Sequence, residues 1–153
     1  MNYADIKQYD VANGIGVRVS LFVSGCTHHC KECFNKEAWD FDYGQPFTEQ
    51  ETEKIIEYLK PSYVAGLSLL GGEPMEPQNQ EALLPLLRRV HAEYPEKNIW
   101  CYTGYLFDRD IVGKMCRESG VTREFLSYID ILVDGEFEVE HKNLKVNFRG
   151  SDN

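Results

Sequence analysis

The segment VSGCTHHCKECFN, which begins at Val23, carries three cysteines with the spacing Cys-x3-Cys-x2-Cys. Cys26, Cys30 and Cys33 on one short loop can supply three thiolates to a [4Fe–4S] cluster, which has four irons. One iron then lacks a protein ligand, and an open metal position is usually where a substrate or cofactor binds. The spacing therefore favours an iron–sulfur site with one open position.

Zinc is the alternative occupant of this loop, because His28 or His29 could complete a Cys3His site. Structural zinc sites usually combine two separated ligand pairs, whereas all these candidates lie on one loop. We therefore interpret both histidines as solvated loop residues. Cys101 and Cys116 fall within a predicted strand and a predicted helix, and we interpret them as packed side chains. Five cysteines, an odd number, also argue against a disulfide framework.

The segment LSLLGGEP holds the second candidate site, at the end of a predicted strand. Gly71 and Gly72 would let a ligand approach the backbone closely. The Glu73 carboxylate and a strand-end carbonyl can accept hydrogen bonds from an ammonium group, which has three donors. Pro74 fixes the exit of the turn. Taken alone, GGEP is equally well explained as an ordinary strand-to-helix turn.

Composition limits the possible partners and the cellular location. The 153 residues suit one domain, residues 1–153, and carry a net charge of −9. This charge argues against general binding to nucleic acid or to an anionic membrane. The N-terminal segment has no apolar signal-peptide region, and no apolar run is long enough to span a bilayer. We therefore expect a cytoplasmic protein with reduced thiols.

Hydrophobic patterns predict strands that alternate with helices. The predicted strands are Val17 to Val23, 66–70, 98–104, 128–135 and, less regularly, 144–150; the predicted helices are 48–60, 79–94 and 108–120. Thr48 and Glu51 form a capping-box signature, Asn79 is a candidate cap, and Gly120 is expected to close the third helix.

This alternation predicts an α/β fold with a parallel sheet. A complete eight-fold barrel needs about 250 residues, so the chain can form only a partial, open barrel or a doubly wound sheet. In both folds the site lies at the carboxyl ends of the strands. The cysteine loop, GGEP, Thr103-Gly104 and Asp134-Gly135 are all expected at that edge.

The cysteine spacing resembles that of radical S-adenosylmethionine (SAM) enzymes. Within that superfamily, CKECFN, with Phe34 and Asn35, resembles the loop of the activating proteins of anaerobic ribonucleotide reductase, although Glu32 replaces a common glycine. The segments NGIGVR (13–18), IWCYTGY (99–105), DILVDGEF (130–137) and FRGSDN (148–153) also resemble that branch. Ile15 departs from its usual proline.

The resemblance implies a partial radical SAM barrel whose cluster is held by Cys26, Cys30 and Cys33, with the SAM amino and carboxylate groups on the open iron. Gly72 and Glu73, in the turn between Gly71 and Pro74, would hold the amino group. The segment Glu32, Cys33 and Phe34 would lie near the adenine.

The implied reaction is one-electron cleavage of SAM to methionine and a 5′-deoxyadenosyl radical. That radical removes hydrogen from a glycine of the large subunit of anaerobic ribonucleoside-triphosphate reductase, and a flavodoxin-like protein is the implied electron donor. The cofactor performs the chemistry, so no acid–base pair is required. The alternatives are an activase of another glycyl-radical enzyme of the formate-lyase type, a small-molecule radical SAM enzyme of the deazapurine-synthase type, and a non-catalytic zinc-binding interaction module.

Overall fold

The structure, a computed structural model, describes residues 1–28 and 39–135. The described residues form one sheet with the strand order β3-β1-β2-β4-β5-β6. The elements in chain order are β1 (Asn2–Asp10), β2 (Val17–Val23), β3 (Gln45–Pro46), α1 (Glu49–Leu59), β4 (Val64–Gly71), α2 (Pro77–Glu93), β5 (Asn98–Tyr102), a π-helix (Phe107–Met115), α3 (Cys116–Glu118), α4 (Gly120–Ser127) and β6 (Ile131–Val133).

Strands β2, β4, β5 and β6 are parallel, and their carboxyl ends therefore share one edge of the sheet. In this register Val23 pairs with Gly71, and Tyr102 pairs with Val133. Strands β1 and β3 add an antiparallel flank beside β2. The predicted α/β class with a mostly parallel, open sheet is confirmed, and this architecture is consistent with the expected partial, open barrel.

Helix α1 follows its predicted capping box. The Thr48 amide and hydroxyl both donate to Glu51 Oε1, at 2.7 and 2.6 Å, and the Gln50 amide donates to Thr48 Oγ1. Because the helix buries Ile55 and Leu59, its apolar face belongs to the core. The helix is thereby fixed beneath the strands that carry the candidate site.

Asn79 does not cap α2, and this prediction was wrong. The helix begins at Pro77, a residue suited to the first helical position, and Asn79 lies within its first turn. Asn79 Nδ2 instead donates to the carbonyl oxygens of Ser24 (3.0 Å) and Glu73 (2.9 Å). The side chain ties two loops together at the carboxyl edge of the sheet.

Gly120 starts a helix and does not close one. The region predicted as one helix contains the π-helix and α3, and Ser119 Oγ accepts from the Val121 amide to cap α4. The strand predicted at 128–135 is confined to Ile131–Val133, and that predicted at 98–104 ends at Tyr102. The strand predicted at 144–150 lies outside the described residues.

Arg18 is fully buried within the sheet. Its Nε donates to Ser68 Oγ at 2.7 Å and its Nη2 to the Leu67 carbonyl at 2.9 Å, while the guanidinium lies 5.3 Å from the Trp100 ring centroid. Burial lowers the Arg18 pKa to about 10, so the group stays charged at neutral pH. These contacts join β2, β4 and β5 at the end of the sheet opposite the candidate site.

None of the helices in the described ranges combines the length and the apolar character needed to cross a membrane.

Candidate metal centre

Three chain segments meet at the carboxyl edge of the sheet: the exits of β2, β4 and β5. The Gly72 amide donates to the Val23 carbonyl, and the Glu73 amide donates to the Gly25 carbonyl, both at 2.8 Å. The loop that carries Cys26 is therefore fastened to the GGEP turn by main-chain hydrogen bonds. The predicted meeting of the two motifs is observed at this point.

Cys26 is buried and is not in a disulfide with any residue that the structure describes. It follows the carboxyl end of β2, where the sequence predicts a cluster ligand. The other predicted ligands, Cys30 and Cys33, lie outside the described residues, as do Glu32, Phe34 and His29. A buried cysteine at this edge, beside a turn that begins with two glycines, suits a thiolate ligand of an iron–sulfur cluster.

Gly71 is required by the geometry of the turn. Its φ is +117°, and a Cβ at this position would lie 2.5 Å from the Val23 carbonyl oxygen. Both the backbone conformation and the close approach of β2 exclude other residues without rearrangement. Glycine therefore lets the end of β4 touch the cysteine loop.

The Glu73 carboxylate organises the site and is only 1% exposed. Its Oε1 accepts from the Gly104 amide at 2.7 Å and lies 2.8 Å from His28 Nε2. Its Oε2 accepts from Thr103 Oγ1 at 2.7 Å and from the Met75 amide at 2.9 Å. A carboxylate offers about four lone-pair sites, so groups of the chain itself already occupy all of them.

His28 is not a solvated loop residue, and that prediction was wrong. Its side chain is 8% exposed, and its ring centroid lies 4.3 Å from that of Tyr105. The reason is the preceding residue: the Thr27 amide and hydroxyl both donate to Glu76 Oε1, at 3.1 and 2.7 Å. These bonds place the next residue against the end of β5.

Glu76 and Tyr105 complete this group of contacts, and neither residue is predicted from the sequence as part of the site. The Tyr105 hydroxyl donates to Glu76 Oε1 at 3.1 Å, and burial raises the Tyr105 pKa. The available signal was the position of Glu76, three residues after Glu73 in the same strand-to-helix connection. Such spacing brings two carboxylates to one edge but does not reveal their partners.

The remaining candidates serve packing and capping. Cys101 is fully buried in β5, and burial raises its thiol pKa well above the usual value, so it remains a protonated, packed thiol as interpreted. Cys116 is partly buried in α3. Asp134 Oδ2 accepts from the Phe107 amide at 2.9 Å at the start of the π-helix. Asp134 and Phe107 also line a shallow pocket that is open to the surface.

Comparisons with known proteins place the chain in a family. Residues 12–153 match the family model for a 4Fe-4S single cluster domain. Three relatives, each an anaerobic ribonucleoside-triphosphate reductase-activating protein, align with 100% of this chain: those of Pasteurella multocida (strain Pm70; 41% identity, 94% of the relative), Enterobacteria phage T4 (43%, 91%) and Escherichia coli (strain K12; 40%, 96%).

The fold and the matched domain define an iron–sulfur protein of the radical SAM class, with a single [4Fe–4S] cluster and SAM as cofactors. Because 40 to 43% sequence identity to these relatives extends over the whole chain, the resemblance seen in the sequence motifs is confirmed. The chain belongs to the family of anaerobic ribonucleoside-triphosphate reductase-activating proteins.

Proposed function

We propose that this protein activates anaerobic ribonucleoside-triphosphate reductase. The observation that carries the proposal is full-length similarity to proteins named for that activity, 41% and 43% identical over 100% of this chain. The protein substrate is the large subunit of the reductase. An open sheet suits such a substrate, because a glycine on a polypeptide segment needs an open side to enter.

The cluster is held by Cys26, Cys30 and Cys33 in this proposal. When bound, the cluster would supply the one electron needed for reductive cleavage of SAM, and that cleavage would provide the 5′-deoxyadenosyl radical needed to remove a hydrogen atom from a glycine of the reductase. The chain contributes the thiolates, the main-chain turn and the enclosure of the site.

The GGEP turn receives the SAM amino group. Gly71 and Gly72 bring main-chain atoms to the edge without side chains, and Pro74 sets the direction of the exit. Glu73 contributes its buried negative charge at short range, which attracts an ammonium group even while neighbouring donors occupy its oxygens. Glu32, Cys33 and Phe34 form the proposed adenine side.

The electron donor is a protein that transfers one electron, such as a flavodoxin, and the reaction takes place in the cytoplasm. Residues 1–153 act as one domain: β1, which precedes the residues matched by the family model, is paired with β2 inside the same sheet. Lys31 and Lys36, beside the cysteine loop in the sequence, are candidate contacts for an acidic donor.

Anaerobic reconstitution tests the proposal. Protein loaded with iron and sulfide should turn brown and, with dithionite and SAM, should release 5′-deoxyadenosine. Cys30→Ala should abolish this release, whereas Cys101→Ala, a buried cysteine outside the loop, should retain it. Electron paramagnetic resonance (EPR) should then detect a glycyl radical on purified reductase. A colourless protein with one zinc, or SAM cleavage that survives Cys30→Ala, would contradict the proposal.

A further inference from the structure

Two buried carboxylates hold the two residues that follow Cys26. Glu76 Oε1 accepts from both the amide and the hydroxyl of Thr27, and Glu73 Oε1 lies 2.8 Å from His28 Nε2. Glu73 is 1% and Glu76 5% exposed. The chain between the first two cysteines of the motif is therefore anchored at consecutive residues.

The His28 ring packs against Gly104 and Tyr105, which follow β5 in the chain. A Cβ at Gly104 would lie 2.8 Å from His28 Cδ2 and 2.9 Å from Nε2, so glycine at this position makes room for the ring. Gly104 does not have a positive φ, and its backbone conformation alone does not require glycine. The Tyr105 ring also packs against His28, with the two ring centroids 4.3 Å apart.

The space at Gly104 and the contact with Glu73 Oε1 together locate the His28 ring. Glu73 Oε1 accepts from the Gly104 amide, so the glycine that leaves space for the ring also fixes the carboxylate oxygen that the ring meets. His28 Nε2 lies 2.8 Å from this same oxygen, within hydrogen-bonding distance. The ring is therefore located by two features of the exit of β5, the space at Gly104 and the oxygen that the Gly104 amide fixes.

We propose that His28 is a positioning residue that, through its contacts with Glu73 and Gly104, fixes the chain directly after Cys26 for cluster binding. This inference rests on the proposed function, because it takes the loop to be the cluster site. Residues that hydrogen-bond to metal ligands typically change metal affinity about 10- to 100-fold when they are replaced, and because His28 acts through the chain beside Cys26, we expect an effect at the lower end of that range. We therefore expect His28 to control how fast the cluster is lost.

The experiment measures cluster retention separately from activity. Reconstituted wild-type protein, His28→Ala and Gly104→Ala are exposed anaerobically to an iron chelator, and the loss of the cluster absorbance is followed with time. We expect loss about tenfold faster in both variants, together with an altered EPR spectrum of the reduced cluster. His28→Gln, whose amide can still donate to Glu73, should recover much of the retention.

The double variant and a distant histidine provide the controls. If Gly104→Ala acts by displacing the ring, it should add little once His28 is already alanine, so the two effects should not be additive. His91→Ala, an exposed histidine on α2 whose ring packs on Tyr128, should behave as wild type. Urea unfolding of the cluster-free proteins shows whether each variant is folded before loading.

The outcomes separate this inference from the proposed function. Wild-type retention and an unchanged EPR spectrum in His28→Ala would overturn the positioning role and leave the proposed function intact. Additive effects of the two alanine substitutions would also overturn it. A wild-type protein that binds zinc in place of an iron–sulfur cluster would instead remove the proposed function, and the inference with it.

Discussion

Replacing Thr103 by valine tests whether the Glu73 carboxylate organises the site. Thr103 is 6% exposed, and its Oγ1 donates to Glu73 Oε2 at 2.7 Å and accepts from the Tyr105 amide at 3.2 Å. Valine has nearly the same shape and is also β-branched, so the substitution removes the two hydrogen bonds without opening a cavity.

The expected cost follows from the two lost contacts. A hydrogen bond to a charged group contributes about 1.5 to 3 kcal/mol, and a neutral one about 0.5 to 1.5 kcal/mol. Thr103→Val should therefore lower the free energy of unfolding by about 2 to 4.5 kcal/mol. That is a large share of the stability of a typical domain, about 5 to 15 kcal/mol.

Thr122 offers a matched control in the same chain. It is 2% exposed, and its Oγ1 donates to Gln80 Oε1, a neutral amide oxygen, at the same distance of 2.7 Å. Thr122→Val should therefore cost only about 1 kcal/mol. The comparison holds residue type, burial and donor–acceptor distance nearly constant, whereas Thr103 differs in the charge of its acceptor and in the second hydrogen bond that it accepts from the Tyr105 amide.

Urea unfolding of the cluster-free proteins, followed by circular dichroism, measures both variants. If the denaturant slope is unchanged, a shift in the midpoint reports stability alone. Equal losses for the two variants, or a loss below about 1 kcal/mol for Thr103→Val, would refute the view that Glu73 is an energetically important acceptor.

Two further predictions concern the GGEP turn and the loss of stability at acidic pH. Gly71→Ala places a Cβ 2.5 Å from the Val23 carbonyl oxygen at a φ of +117°, so the midpoint temperature of thermal unfolding should fall sharply. In the control Gly120→Ala, the nearest atom to the new Cβ is Arg123 Nη2 at 3.5 Å, so the midpoint should match or exceed that of the wild type. Equal midpoints for the two variants would contradict this. For Asp10, burial acts to raise the pKa, but hydrogen bonds, one from Asn13 Nδ2 at 2.7 Å, bring the net pKa below its ordinary value. The stabilising contribution of Asp10 is therefore complete above about pH 4 and is lost as the pH falls through the pKa of the folded state. In Asp10→Asn, the free energy of unfolding measured in urea should decrease less between neutral and acidic pH than in the wild type. An equal decrease in the two proteins would contradict the assignment.

The parallel sheet and the edge that carries the site could be predicted from the sequence. Apolar runs such as Val17–Val23 are long enough for buried strands, and helical patterns between them require parallel pairing. Strand β1 (Asn2–Asp10) was not predicted, because its residues alternate between exposed and partly buried and include few apolar side chains. The formation of β1 depends on its pairing with β2 and not on a hydrophobic pattern in its own sequence.

Long-range partners explain the errors within the site. His28 meets Glu73 across 45 residues of sequence, and Asn79 meets the Ser24 carbonyl across 55. Local rules assign a histidine in a polar loop to solvent and an asparagine near a helix start to a cap. The strand-to-helix connection overrides both, because it presents buried acceptors that these side chains can satisfy.

The environment of Glu73 accounts for the order of residues in the turn. Two glycines allow β4 to end against β2, and the next residue then points its carboxylate among donors from β5, the turn itself and the cysteine loop. Among the residues that the structure describes, no lysine or arginine forms an ion pair with this carboxylate, so neutral donors and one histidine hold a buried negative charge. In such surroundings the charge is poorly screened and attracts a nearby cation more strongly than a surface carboxylate would. The same side chain can therefore hold the loop by its hydrogen bonds and favour a cationic cofactor by its charge.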